Sequence, residues 1–142
     1  MSYRSDMSDE DLRFRWVAYY KHPKVLAAIL KKIAYRKERV AFWESNLATA
    51  EEKLLMEGVE IRKSFDQFGN AGVTYTNNVG ANVQVVVDPN MQRAITEATQ
   101  KLHEHRKALT EMEGWRDYVE SLDPKLDLAL TYKDYTFFFG DR

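Results

Sequence analysis

Two stretches of this 142-residue chain carry residues at the spacing that keeps one side of an α-helix facing a partner. In the first stretch an apolar residue recurs every seven positions: Leu26, Ile33, Val40, Leu47 and Leu54. In the second the steps alternate between three and four: Ile95, Ala98, Leu102, His105, Leu109, Met112, Arg116 and Val119. Because each helix must cover its stripe, we predict that the two helices pack against each other.

Residues that commonly begin or end helices set the limits of the predicted elements. Gly58 and Pro124 follow the two helical stretches, where such residues commonly end a helix, and Ser8 precedes acidic residues that suit a helix N-terminus. Gly114 is an interior flaw of the second helix, with a cost of about 1 kcal/mol relative to alanine. We predict one domain made of a loose tail (1–7), a short helix (8–20), a long helix (23–57), a β-rich insert (58–89), a second long helix (90–122) and a C-terminal strand segment (123–142).

The predicted fold is mainly α with a small β element (α+β): an antiparallel, two-helix, coiled-coil-like hairpin with the insert at its tip. In the insert, Val59, Ile61 and Phe65 alternate with polar residues, and turn residues separate the β-branched runs. This pattern predicts a three-stranded β-meander. The alternative is a mobile loop, because the insert is rich in glycine and asparagine.

The composition excludes several classes of protein. A net charge of −1 gives no global field that would attract nucleic acid, and 30% charged with 13% aromatic residues is typical of a folded chain. There is no cysteine, so disulfides, thiolate nucleophiles and cysteine-ligated metals are excluded. The N-terminus is polar, and no run approaches the roughly 18 apolar residues of a membrane span. We therefore expect a soluble cytoplasmic protein that makes no membrane contact.

Charge is distributed unevenly along the two predicted helices. The first half of the first helix is basic, and the end of the second is acidic. The other halves have the opposite signs, with Glu44 expected to face a group of cations that includes Arg106. Antiparallel packing would match both halves. The alternative is a nucleic-acid-binding face, since basic residues interleaved with aromatics are typical of single-strand grooves. Its candidate residues are Lys31, Lys32, Arg36, Lys37 and Arg39.

No constellation of residues indicates catalysis or metal binding. His103 and His105 are two positions apart, so on a helix they point in different directions and cannot share an ion. The sequence lacks the spacings of zinc proteases, di-iron bundles, phosphate-binding glycine loops and serine hydrolases. We predict a protein that is not an enzyme and needs neither a cofactor nor a metal.

The C-terminal segment is rich in aromatic residues that something must cover. A lone strand is marginally stable, and a large apolar patch on a soluble chain marks an interaction site. One possibility is packing against the base of the same helical hairpin. The other is self-association by strand addition between chains, with these residues as partner-binding candidates: Tyr132, Tyr135, Phe137, Phe138 and Phe139.

Three functional hypotheses follow. The first is a non-enzymatic structural or assembly protein, a homo-oligomer that holds a complex together or docks a protein partner. The second is a nucleic-acid-binding accessory protein that uses the basic face of the first helix. The third is a small-molecule-binding protein with a pocket between subunits near residues 70–82. The order helix, β element, helix is similar to that of prefoldin-type subunits, but no motif is shared and no function is carried over.

Overall fold

The computed structural model describes residues 17–77 and 85–140. The predicted tail (1–7), most of the predicted short helix (8–20) and part of the predicted third strand therefore lie outside the described residues. The elements are β1 (Val17–Lys21), α1 (His22–Met56), β2 (Val59–Phe65), β3 (Ala71–Asn77), α2 (Pro89–Glu120), β4 (Asp127–Thr131) and α3 (Tyr132–Phe139). Most of the described chain is helical, and the strands form two antiparallel pairs, β1–β4 and β2–β3. The α+β class is confirmed.

The chain divides into two compact units. Of the described residues, unit 1 combines 17–35 with 110–140, and unit 2 comprises 36–77 and 85–109. Each unit is described by itself.

In unit 2, β2 and β3 form a hairpin whose turn is held by one carboxylate. Asp66 Oδ1 accepts hydrogen bonds from the backbone N–H groups of Phe68 and Asn70, each at 2.8 Å. Gly69 has a φ of 80°, a left-handed conformation that favours glycine. Gln100 of α2 fastens the turn, since its Nε2–H donates to Gly69 O and its Oε1 accepts from Ala71 N. These two hydrogen bonds from Gln100 hold the turn of the hairpin against α2.

The core of unit 2 lies between this hairpin and the two long helices. Its buried members are Leu47, Leu54, Tyr75, Val87, Ile95, Ala98 and Leu102. Phe65 of β2 adds a stacking contact with His103 of α2, with ring centroids 4.2 Å apart. Five of these core residues belong to the two predicted stripes, so the periodicity of the sequence identified the helix faces that unit 2 buries.

One correction concerns the predicted meander. Within the described residues the insert contains two strands, and residues 85–87 are not a strand. Val85 N–H donates to Tyr75 O at 3.3 Å, and Val87 is buried in the core. Asp88 then accepts at its carbonyl from Gln92 N–H, which is the first hydrogen bond of α2. Residues 85–87 do not extend the sheet, because Val87 packs in the core and the next residue, Asp88, already makes the first hydrogen bond of α2.

The polar contacts between α1 and α2 in unit 2 include one of the predicted charge pairs. Arg106 Nη2 lies 2.8 Å from Glu44 Oε1. Arg36 Nη1–H donates to His105 Nδ1, also at 2.8 Å. Both Arg36 and His105, the latter a polar position of the second predicted stripe, are half-buried, and His105 accepts a hydrogen bond from a cation of the other helix.

In unit 1, residues 17–20 are strand, whereas the sequence predicted the end of a short helix at 8–20. Val17 to Lys21 pair in antiparallel register with Thr131 to Asp127. Valine and tyrosine favour strands, but the pairing partner lies about 110 positions away along the chain and leaves no local signal. Helix α1 begins immediately afterwards at His22, with Pro23 in the first turn where proline is favoured.

The second correction in unit 1 concerns residues 123–142, predicted as a strand segment. Strand β4 covers only Asp127–Thr131, and the aromatic residues that follow form helix α3. Thr131 is the N-cap residue, and its hydroxyl oxygen accepts from Asp134 N–H at 3.2 Å. A threonine followed three residues later by an acid is a helix-start signature. This cap and the packing of one helix face outweigh the strand preference of the aromatic run.

Candidate functional site

Unit 1 contains the C-terminal aromatic residues, and its own side chains cover much of them. Phe138 is only 3% exposed, and its ring lies 5.2 Å from that of Trp115. Tyr20 of β1 lies 5.7 Å from Tyr135 and 5.1 Å from Phe139. Phe137 and Tyr132 are half-buried. The described contacts therefore cover much of this aromatic segment from within unit 1, and self-association through it stays a prediction.

Beside this aromatic cluster runs a groove of about 690 Å³, which we call the β4 groove. One wall is a stripe of α2 at steps of three and four, and the other wall is β4, with Phe138 of α3 also in the lining. The α2 stripe consists of Glu111, Gly114, Trp115 and Tyr118, and Leu122 lines the groove just after the end of the helix. The groove is mainly apolar, and its volume lies in the range of ligand sites in proteins.

Strand β4 forms the second wall of the groove. Four consecutive residues line it, Asp127–Leu130. Successive side chains of a strand point to opposite faces, so a wall formed by all four must include their backbone. Among the described residues this sheet has two strands, and β1 occupies one side of β4. The other side of β4 carries no strand within those residues, which leaves an edge that another strand could pair with.

Gly114 is an exposed residue of the α2 wall. The residue lies in the middle of the α2 stripe, and a β-carbon built there would meet no atom within 4 Å. Neither a close contact nor a positive φ requires glycine at this position. The sequence identified Gly114 only as a flaw in a helix. Its consequence in the structure is open space between larger side chains.

The charged side chains that line the groove are carboxylates. Glu111 and Asp134 line it, as does Asp127, whose Oδ1 is 2.9 Å from Lys21 Nζ. Asp134 lies in the first turn of α3, where a negative charge also stabilises the helix. Among the residues that the structure describes, none that lines the groove is a lysine or an arginine. The β4 groove is mainly apolar and has acidic residues on its walls, so it is suited to a positively charged or neutral ligand.

The predicted nucleic-acid-binding residues are distributed between both units. In unit 1, Lys31 and Lys32 line a small pocket with Tyr35, and Lys32 Nζ donates to Gly140 O at the end of α3 at 2.7 Å. In unit 2, Arg36 binds His105, and the Arg39 guanidinium lies 4.4 Å from the ring centre of Phe42. Lys37 is exposed. Three of these five cations thus have structural contacts within their own unit.

His105 is held in its neutral form by its surroundings. Burial lowers its pKa from the ordinary value, and the nearby positive charges of Arg36, Arg39 and Lys101 lower it further, against a smaller opposing effect of Glu104. The hydrogen bond from Arg36 also requires an unprotonated Nδ1. His105 therefore favours folding as long as it is uncharged.

The His105 environment makes stability depend on pH. An unfolded histidine takes up a proton near pH 6.5, whereas folded His105 resists protonation, so the unfolded chain binds more protons below that pH. We expect the free energy of unfolding to fall as the pH is lowered through about 6.5. Urea titrations across this range should show the loss, and His105→Gln should show a smaller pH dependence. An unchanged pH dependence in that variant would contradict this assignment.

The described residues contain no group of three or more side chains suited to a metal ion. The hypothesis of a small-molecule pocket concerned residues 70–82. At one end of this range the side-chain amide of Asn70 donates a hydrogen bond to Asp66, and the other end, Asn82, lies outside the described residues. None of the helices in ranges 17–77 and 85–140 combines the length and apolar character needed to cross a membrane.

The chain matches no protein-family model, no curated protein sequence and no solved structure. The site is therefore argued from its own geometry. Sequence reasoning identified Phe138 but missed the α2 wall and the edge of β4. Two local signals could have indicated them: the Thr131–Asp134 capping pattern and a glycine in an otherwise uninterrupted helical stretch.

Proposed function

We propose that this chain is a non-enzymatic assembly protein that self-associates by adding an extended segment of a second copy to the open edge of β4. Helices α1 and α2 serve as the two arms of an antiparallel, coiled-coil-like hairpin that supports this site. The order of contacts in unit 2 supports the antiparallel direction. Arg36 meets His105, whereas Leu47, further along α1, shares a pocket wall with Ala94, earlier in α2.

One observation carries the proposal: β4, which among the described residues has a strand partner on one side only, lines an apolar groove. Strand edges that remain open tend to pair with other chains, and proteins that avoid this usually shorten, charge or cover the edge. In strand addition the backbone hydrogen bonds provide affinity, and pockets for alternate side chains provide specificity. The β4 groove offers both, since Trp115 and Tyr118 can pack against side chains of the added segment.

Filling the groove should prevent the association. Gly114→Phe adds a ring where the structure has open space, so we expect little strain within the chain and loss of the self-associated species. Tyr118→Ala removes an aromatic wall residue that is 54% exposed, and should weaken association with a small effect on folding. Sedimentation equilibrium over a range of protein concentrations measures both effects.

Gly114→Ala is the matched control for this experiment. It leaves most of the groove open and should stabilise α2 by up to about 1 kcal/mol, because alanine is the better helix former. We expect it to associate as the unmodified chain does. If Gly114→Phe is folded by circular dichroism and has the same mass distribution as Gly114→Ala, association does not use the β4 groove and the proposal fails.

A further inference from the structure

We infer that the segment bound in the β4 groove is basic, with arginine or lysine side chains alternating with apolar ones along an extended chain. The inference rests on the proposed function, because it specifies the chemistry of the partner for the same site. The segment comes from a second copy of this chain, as in the proposed function.

The first argument is the sign of the charge. Glu111 and Asp134 line the groove, and neither forms an ion pair with a residue of the described ranges 17–77 and 85–140. Asp127 is the third carboxylate, and Lys21 already offsets part of its charge. An acidic segment would meet like charges on both walls, whereas a basic segment would meet complementary ones. Such complementarity mainly sets specificity and the rate of association.

The second argument is the aromatic lining. Trp115 and Tyr118 come from one wall, and Phe138 is provided by α3. Tryptophan and tyrosine faces attract guanidinium and ammonium groups, and the same rings pack against apolar side chains. An extended segment presents alternate side chains to opposite sides. A basic–apolar alternation would therefore satisfy both the carboxylates and the aromatic rings.

The same reasoning disfavours the simplest symmetric alternative, in which the β4 strands of two copies pair with each other. Strand β4 has the sequence Asp-Leu-Ala-Leu-Thr and contains no cation. Pairing two such edges would bring Asp127 of each copy to the carboxylates of the other groove. Like charges that face each other across an interface are unfavourable.

The chain itself contains a segment with the required pattern, which provides the probe. Leu12, Phe14 and Trp16 alternate with Arg13 and Arg15. A synthetic peptide of residues 12–16 is the basic probe, and the same peptide with glutamine in place of both arginines is the neutral probe. The receptor is the full chain with Arg13→Glu and Arg15→Glu, so that its own segment does not compete with the probe for the groove.

We expect the basic probe to bind this receptor about ten-fold more tightly than the neutral probe at low salt, with the difference shrinking as salt is added. Glu111→Gln together with Asp134→Asn, introduced into the receptor, should abolish most of that preference while leaving neutral-probe binding unchanged. Gly114→Phe should remove binding of both probes. Fluorescence anisotropy of labelled peptides measures all of these affinities.

The outcomes separate the two proposals. Equal binding of both probes, lost in Gly114→Phe, would overturn the inference about charge and leave strand addition at the groove intact. Failure of both probes to bind would overturn the inference and count against the proposed function. Binding that survives Gly114→Phe would put the peptide elsewhere and overturn the inference as well.

Discussion

Replacing Phe138 by alanine should lower the free energy of unfolding by about 3–5 kcal/mol, the usual cost of removing a buried phenylalanine ring. Phe138 is 3% exposed and contacts Trp115, and it belongs to a helix of only eight residues that depends on packing. Urea unfolding followed by circular dichroism measures the change.

Phe68→Ala is the matched control for Phe138→Ala. Phe68 is 79% exposed in the β2–β3 turn, so its truncation should change stability by at most about 0.5 kcal/mol. If the two substitutions have equal effects, the assignment of Phe138 to the core of unit 1 is wrong. The groove would then lose one of its aromatic lining residues.

In unit 2, Leu54→Ala should lower the free energy of unfolding by about 2–5 kcal/mol. Leu54 is 3% exposed, and its neighbours in the core include Tyr75 of the hairpin and Ile95 of α2. Truncating it leaves a cavity that the surrounding side chains can only partly fill. The helix propensity of the sequence is little affected, because alanine and leucine are both good helix formers.

Leu55 offers a control at the next position. It is 59% exposed, so Leu55→Ala makes the same chemical change on the same helix without opening a core cavity. We expect a change within about 0.5 kcal/mol. Comparable losses for Leu54→Ala and Leu55→Ala would show that α1 does not bury the side identified in the structure.

The long helices could be predicted because their signal is local and repeated. The stripe positions Ile33, Leu47, Leu54, Ile95 and Leu102 are all buried. The limits of α1 also follow from local chemistry, with Pro23 in its first turn and Gly58, at a φ of 83°, just after its end. Such features need no knowledge of the rest of the chain.

The ends of the chain could not be predicted in the same way. Strand β1 exists because of its pairing with β4, and no residue near Val17 reveals that distant partner. For α3, strand preference and a capping signature conflicted. The cap formed by Thr131, together with packing of Phe138 against Trp115, favoured the helix. The β4 groove depends on both β1 and α3, so it could not be predicted from sequence patterns either.

The central claim, that β4 pairs with a strand from another chain, is tested most directly by amide hydrogen exchange as a function of protein concentration. If the claim holds, amides of Asp127–Thr131 that face the groove will exchange more slowly in concentrated than in dilute solution, since strand addition gives them hydrogen-bond acceptors. Amides of the β2–β3 hairpin serve as the internal reference and should not change. Exchange in β4 that is the same at every concentration, while sedimentation shows the chain to be associated, would contradict the account.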